Sequence, residues 1–332
     1  MPVRMKSKLK LFLTLIAFGS GANAAVEIVA SNHNPDLKIA GSVAFTEGPA
    51  WHPPSGTVFF TDIVNNRIMR SDTKGKADVY RTPSGRANGL AFDHQNRLIA
   101  CESGPDNRRI TRTEHDGSIT VLTATYRGKR YNSPNDLVVA SDGAIYFTDP
   151  RYGARTDMQI QAADGSAVEG VYRIDPDGTV SMVLELEVHR PNGIALSADE
   201  KYLFVADNAN GRPQGNRVLW RFELNANGSL DLRSQTSLFD WGNSGSDRGP
   251  DGMAVGKDGK LYVTAGLNFS DKPHMADRKF PGGIYVIDPS GKGLLDFISI
   301  PVDDITNCTF GGEDGNTLFI TAGHRLFSLP IE

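Results

Sequence analysis

The sequence predicts an all-β protein, a six-bladed β-propeller built of four-stranded antiparallel blades. Three features carry that expectation. A β-rich unit recurs six times between Glu47 and the C-terminus, and glycine and proline (35 and 18 of 332 residues) supply many turns. Beyond the first two dozen residues, no amphipathic helix longer than about two turns competes with the strands. Repeats of about 40–50 residues that each hold four strands are the signature of propeller blades.

The chain opens with a segment of another kind. Arg4, Lys6, Lys8 and Lys10 make a basic start, Leu11 to Phe18 is apolar but for Thr14, and Ala22-Asn23-Ala24 offers small residues where a signal peptidase reads. Residues 1–24 therefore read as a cleavable signal peptide, and 25–332 as one propeller domain, periplasmic or secreted. An apolar core of about 8 residues is too short for the ~30 Å of hydrocarbon, and no later stretch approaches ~18 apolar residues. No membrane contact is expected of the mature chain. Removing the segment takes the formal net charge from −4 to about −8. That balance, without a basic block, argues against nucleic acid as a partner.

The stretch from Ala25 to Ala44 precedes the first repeat and reads as the outer strand of the last blade, closing the ring. The repeats begin at Glu47 (EGPAWHPPSGTVFFTD), Asn88 (NGLAFDHQNRLIACE), Asn135 (NDLVVASDGAIYFTD), Asn192 (NGIALSADEKYLFVAD), Asp251 (DGMAVGKDGKLYVTAG) and Asn307 (NCTFGGEDGNTLFITAG). The last copy fits only with a one-residue slip near Phe310. VFFTD, AIYFTD, YLFVAD and LYVTA have the Val, Ile, Phe, Tyr and Thr content of buried strands. RIMRSD, GVYRID, VLWRFEL and GIYVID read as third strands, with turns at Asp116-Gly117, Asp177-Gly178, Asn227-Gly228 and Ser290-Gly291. A ring closed in this way needs no partner, so a monomer is expected. Cys101 and Cys308 fall in blades two and six, which puts an unpaired, buried state ahead of a disulfide.

In register, the first position of each repeat is Glu47, Asn88, Asn135, Asn192, Asp251 and Asn307. The first strand of a blade lines the central channel, so these side chains converge at its mouth. An all-oxygen cage with two carboxylates suits a divalent cation: Ca²⁺ first, with Mg²⁺, Mn²⁺ and Zn²⁺ as alternatives. Asn-Gly and Asp-Gly pairs are also ordinary turn chemistry. Glu47, a poor turn residue, does not fit that blander explanation.

FTEGPAWHP, ANGLAFD, LIACE, GKRYNSPNDLVV, IYFTDPRYG, GVYRIDPDG, RPNGIALS and PDGMAV together resemble the family of gluconolactonases, regucalcin-like proteins and luciferin-regenerating enzymes. The resemblance runs from about Val43 to Leu329 and implies the same six-bladed propeller. It implies a metal set of Glu47, Asn192 and Asp251, with Asn135 on metal or substrate and Asp251 as catalytic acid/base. Asn88 and Asn307 are left a pocket role, and Tyr152 joins Asn88, Asn135 and Asn307 as a candidate for substrate contact. Regucalcin-like members carry an Arg two residues before the Asn of the ND pair; here that position is Ser133.

The implied activity is hydrolysis of a small-molecule lactone, with a channel cation polarising the carbonyl and Asp251 moving a proton. Two alternatives remain at this stage: a calcium-dependent phosphotriester hydrolase, and a non-catalytic binding propeller stiffened by its metal. Further candidates around the mouth are Glu102, Arg109, Asp149, Arg151, Asn208, Asn268 and His274, all placed by the repeats in loops or strand ends on the channel face.

Overall fold

Six four-stranded antiparallel sheets form a closed propeller in a computed structural model that describes residues 36–152, 155–210, 215–242, 248–266 and 280–332. The segment read as a signal peptide lies outside the described residues, as do Asn268 and His274. In blade one, Thr46–His52, Thr57–Asp62, Arg67–Ser71 and Ala77–Arg81 pair in order from the channel outward. The inner strands of blades two to five are Ala87–Phe92, Leu137–Val139, Pro191–Leu196 and Met253–Val255. A two-stranded ribbon, Thr125–Tyr126 with Lys129–Arg130, separates blades two and three. The glycines of the expected turns, Gly117, Gly178, Gly228 and Gly291, all hold positive φ.

Blade six closes the ring with both ends of the described chain. Its inner strands Ile305–Gly311, Thr317–Ala322 and Arg325–Pro330 are completed on the outside by Lys38–Ser42, which runs antiparallel with Lys38 opposite Ser328 and Ser42 opposite Arg325. The expected outer strand from the N-terminal side is therefore present. The Thr46 hydroxyl adds bonds to the carbonyls of Gly323 and Arg325 at 3.1 and 2.9 Å, tying blade one to blade six.

Apolar side chains fill the wedges between neighbouring blades. Tyr146, Val171 and Leu184 of blade three pack with Ile194, Val205 and Phe222 of blade four. Phe204 and Leu219 of blade four pack with Leu261, Val263 and Tyr285 of blade five. The core is thus divided among the blade interfaces, as alternating strands with two apolar faces require. Cys101 and Cys308 are both buried and unpaired.

A second set of contacts fixes the inner strands at the channel mouth. Threonine hydroxyls on second strands reach the next blade's inner strand: Thr61 to the Asn88 carbonyl at 3.1 Å, Thr148 to Asn192 at 2.6 Å and Thr264 to Thr306 at 2.7 Å. Glycine N–H groups reach across in the same direction, Gly89 to Asn135 at 2.6 Å, Gly193 to Asp251 at 2.9 Å and Gly252 to Thr306 at 2.7 Å. These bonds are buried, so where a carbonyl has a single such donor its removal leaves an unfilled acceptor in the interior. Replacing Thr264 by Val, which removes one hydroxyl from two carbonyls that each keep an N–H donor, is expected to lower stability by about 0.5–1.5 kcal/mol. The loss should appear as a lower urea midpoint with an unchanged m-value; an unchanged midpoint would show that the hydroxyl contributes nothing to blade docking.

Candidate active site

Where the inner strands begin, a cavity of about 550 Å³ opens at the channel mouth. Glu47, Asn88, Asn135, Asn192 and Asp251 all line it, together with Tyr152. The first five are almost fully buried, while Tyr152 sits at the rim and is 39% exposed. The bonds between blades explain this convergence: the backbones of Asn88, Asn135, Asn192 and Asp251 are each held through their own carbonyl oxygen.

The sixth position differs from the expected one. The carbonyl that receives Gly252 N–H and the Thr264 hydroxyl belongs to Thr306, not Asn307. Cys308 pairs with Ile320 as Met253 pairs with Val263, which sets Thr306 level with Asp251, and the extra pair Gly311–Thr317 puts the irregularity of this copy at the hairpin beside Phe310. Asn307 therefore falls one level deeper, in the layer of Gly48, Gly89, Asp136, Gly193 and Gly252, and is absent from the cavity lining. Its amide donates to Asp136 Oδ2 at 3.1 Å, joining blade six to blade three on the opposite side of the ring. The glycines make room for this contact: a Cβ on Gly252 would lie 2.0 Å from Asn307 Cγ, and one on Gly89 would lie 2.6 Å from Asp136 Oδ1. Asp136 and Asn307 thus close the channel beneath the cavity. Repeat alignment hid both roles, because Asp136 stands where four of the other repeats carry Gly.

Electrostatics at the floor are unusual. Glu47 is pushed well above its ordinary range, by burial first and then by the charge of Asp251, with Asp136 adding to the rise; the Gly48 N–H, 3.1 Å from Glu47 Oε2, pulls the other way. Burial likewise raises Asp136 to about 6, against hydrogen bonds from Leu137, Asn307 and Ile194. No cationic side chain is among the influences on Glu47. Buried carboxylates of like sign need a proton or a cation between them. Asn192 supplies an oriented donor atom, since its Nδ2 donates to Tyr152 Oη at 2.6 Å and leaves its carbonyl oxygen for the channel. An oxygen-only set of Glu47, Asn135, Asn192 and Asp251 therefore fits a hard divalent cation.

The remaining candidates separate cleanly. Arg151, Asn208 and Ser133 line the cavity. Arg151 Nη1 donates to Ser133 Oγ at 3.2 Å, so a guanidinium from the following loop reaches this serine. Glu102 is instead buried in a structural cluster with Arg81, Arg109 and Thr111. Asp149 shapes the loop below the rim by accepting the N–H groups of Asn132 and Ser133, each at 2.8 Å. Arg86 and Arg108, not singled out from sequence, also line the cavity. Strand parity was the missed signal: in Asn107–Thr113 the neighbours Arg108 and Arg109 face opposite sides, and only strand register tells which is which.

Residues 45–324 match the family described as SMP-30/Gluconolactonase/LRE-like region. The chain belongs to that family. Among its relatives is a gluconolactonase of Zymomonas mobilis, 32% identical over 307 residues, covering 87% of this chain and 79% of the relative. A solved gluconolactonase of Xanthomonas campestris superposes with a TM-score of 0.72 at 34% identity, covering 89% of each chain. Regucalcin from Agrobacterium tumefaciens, a calcium-binding protein, shares the fold with a TM-score of 0.67 at 18% identity, covering 88% of this chain and 91% of that one.

A pH dependence follows from the floor. A carboxyl raised on folding keeps a proton that the unfolded chain has released, so stability falls as pH rises between the ordinary and the raised value. For Asp136 that window runs from the ordinary 3.8 to about 6, and for Glu47 it opens near the ordinary 4.5 and reaches well above it. Chelated protein should therefore lose Tm as pH climbs through this window, and Ca²⁺ should flatten the profile. A Glu47→Gln protein that keeps the full slope would remove Glu47 from the explanation.

Proposed function

We propose that the chain is an exported, divalent-cation-dependent lactone hydrolase that opens a lactone ring to the hydroxy acid. The observation that carries this reading is the pair Glu47 and Asp251, two buried carboxylates from different blades at the floor of one cavity. Support comes also from the gluconolactonase relatives at 32% and 34% identity. Glu47, Asn135, Asn192 and Asp251 would hold the cation, Ca²⁺ as first choice, which would supply Lewis acidity toward the lactone carbonyl. Export rests on the basic, apolar and small-residue order of residues 1–24.

The protein's own groups perform the rest. Asp251 is anchored by its N–H to the Thr264 carbonyl at 2.8 Å and by its carbonyl to Gly193 N–H at 2.9 Å, so its carboxylate is carried on a fixed backbone. It takes a proton from the attacking water as the oxygen bonds to the carbonyl carbon. The C–O bond of the ring then breaks, and the same proton returns to the departing ring oxygen. Tyr152 holds Asn192 in orientation through the 2.6 Å bond, and Asn88 contributes a further amide to substrate hydroxyls.

Asp251→Asn is expected to reduce kcat on gluconolactone by about 10²–10⁴-fold in a proton-release assay. Chelation should abolish turnover, and one of Ca²⁺, Mg²⁺, Mn²⁺ or Zn²⁺ should restore it and raise Tm of the wild-type protein. An Asp251→Asn enzyme with wild-type kcat would sink the proton-transfer role. Absence of any ion-induced Tm shift would sink the cation site.

A further inference from the structure

The acidic floor is opposed by a basic wall. Arg86, Arg108 and Arg151 line the same cavity from blades two and three, while among the described residues its acidic lining is Glu47 and Asp251. Arg108 is 7% exposed; its Nη2 donates to Asp157 Oδ2 at 2.6 Å, whereas its Nε and Nη1 have no hydrogen-bond partner among the described residues. Asp157 is shared with two more guanidiniums, Arg151 Nε at 3.1 Å and Arg130 Nη2 at 3.4 Å. Three guanidiniums thus converge on Asp157, with Asp149 also near Arg108, and Arg86 adds a further positive charge at the cavity.

Arg86 strengthens the case independently. Its φ is 53°, a left-handed conformation that costs a non-glycine residue energy and collects at functional sites. The Asn66 Oδ1 acceptor holds that turn, receiving the N–H of Arg86 at 2.7 Å and of Ser84 at 3.1 Å. The Arg86 side chain is exposed at the cavity and has no ion-pair partner among the described residues. A neutral polyol lactone gives such a wall nothing to neutralise.

We infer that the lactone bound here carries an oxyanion substituent, a carboxylate or a phosphate, held by Arg86 and Arg108 with Arg151 beside them, while the lactone carbonyl faces the Glu47–Asp251 floor. This inference rests on the lactonase reading. The wall fixes the orientation, because its guanidiniums attract the anionic end and leave the lactone carbonyl toward the floor. Guanidinium forks suit both oxyanions and give bonds stronger than those to neutral hydroxyls. Contacts far from the bond that breaks bind ground state and transition state alike, so they act on KM.

The test compares neutral glucono-δ-lactone with a lactone carrying a terminal carboxylate, glucarolactone, and with gluconolactone phosphorylated at its terminal hydroxyl. At least one charged lactone is expected to show kcat/KM about tenfold or more above the neutral one, through a lower KM. Arg86→Ala and Arg108→Gln should raise its KM by about 10–100-fold, with a several-fold smaller effect on the neutral lactone. Added salt, from about 50 to 500 mM, should erode the preference. Which charged lactone gains identifies the oxyanion. Preference for the neutral lactone, or equal losses on all three, overturns the inference while leaving lactone hydrolysis in place. Calorimetric titration of metal-free protein with glucarate reads the wall without turnover. Binding that vanishes in the double variant supports the inference even where no lactone is hydrolysed, and no binding overturns it.

Discussion

Hydrogen bonds that run from one blade to the backbone carbonyls of the next blade's inner strand are the constraint on which the site depends. Thr61, Thr148 and Thr264 supply hydroxyls, and Gly89, Gly193 and Gly252 supply N–H groups. Their acceptors are Asn88, Asn135, Asn192, Asp251 and Thr306, which include four of the residues that face the cavity. The elements that dock the blades and the elements that aim the functional side chains are therefore the same atoms. Such preorganisation lets two carboxylates be held together although their charges repel.

Beneath that level the ring is not uniform. Four glycines leave space on the axis, and Asp136 of blade three and Asn307 of blade six meet across it at 3.1 Å. Their contact gives the cavity a bottom and adds a third carboxylate under Glu47. The opposite polarity is concentrated toward the rim, where Asp157 gathers Arg108, Arg130 and Arg151. A pocket of about 550 Å³ thus spans acidic and basic environments.

Much of this was legible before any coordinates. Six in-register repeats named the fold and put Glu47, Asn88, Asn135, Asn192 and Asp251 at one level, because identical blades must present equivalent positions to one axis. The same logic failed at Asn307, where the sixth copy shifts by one residue and places Thr306 at the shared level. It failed also at Arg108, since adjacent strand residues differ in face and only pairing register decides between them. Glu102 looked like a mouth residue by position, yet Arg81, Arg109 and Thr111 claim both of its oxygens.

By itself the sequence determined the number of blades, the closing strand from the N-terminal side and the identity of the converging carboxylates and amides. Periodicity is a property of the chain, and residues repeated at one register must share one place in a ring. Tertiary structure alone decided which groups meet across that ring. Asp136 and Asn307, or Arg151 and Ser133, come together through space at atomic distances, and no spacing along a chain encodes a contact that depends on how neighbouring blades dock.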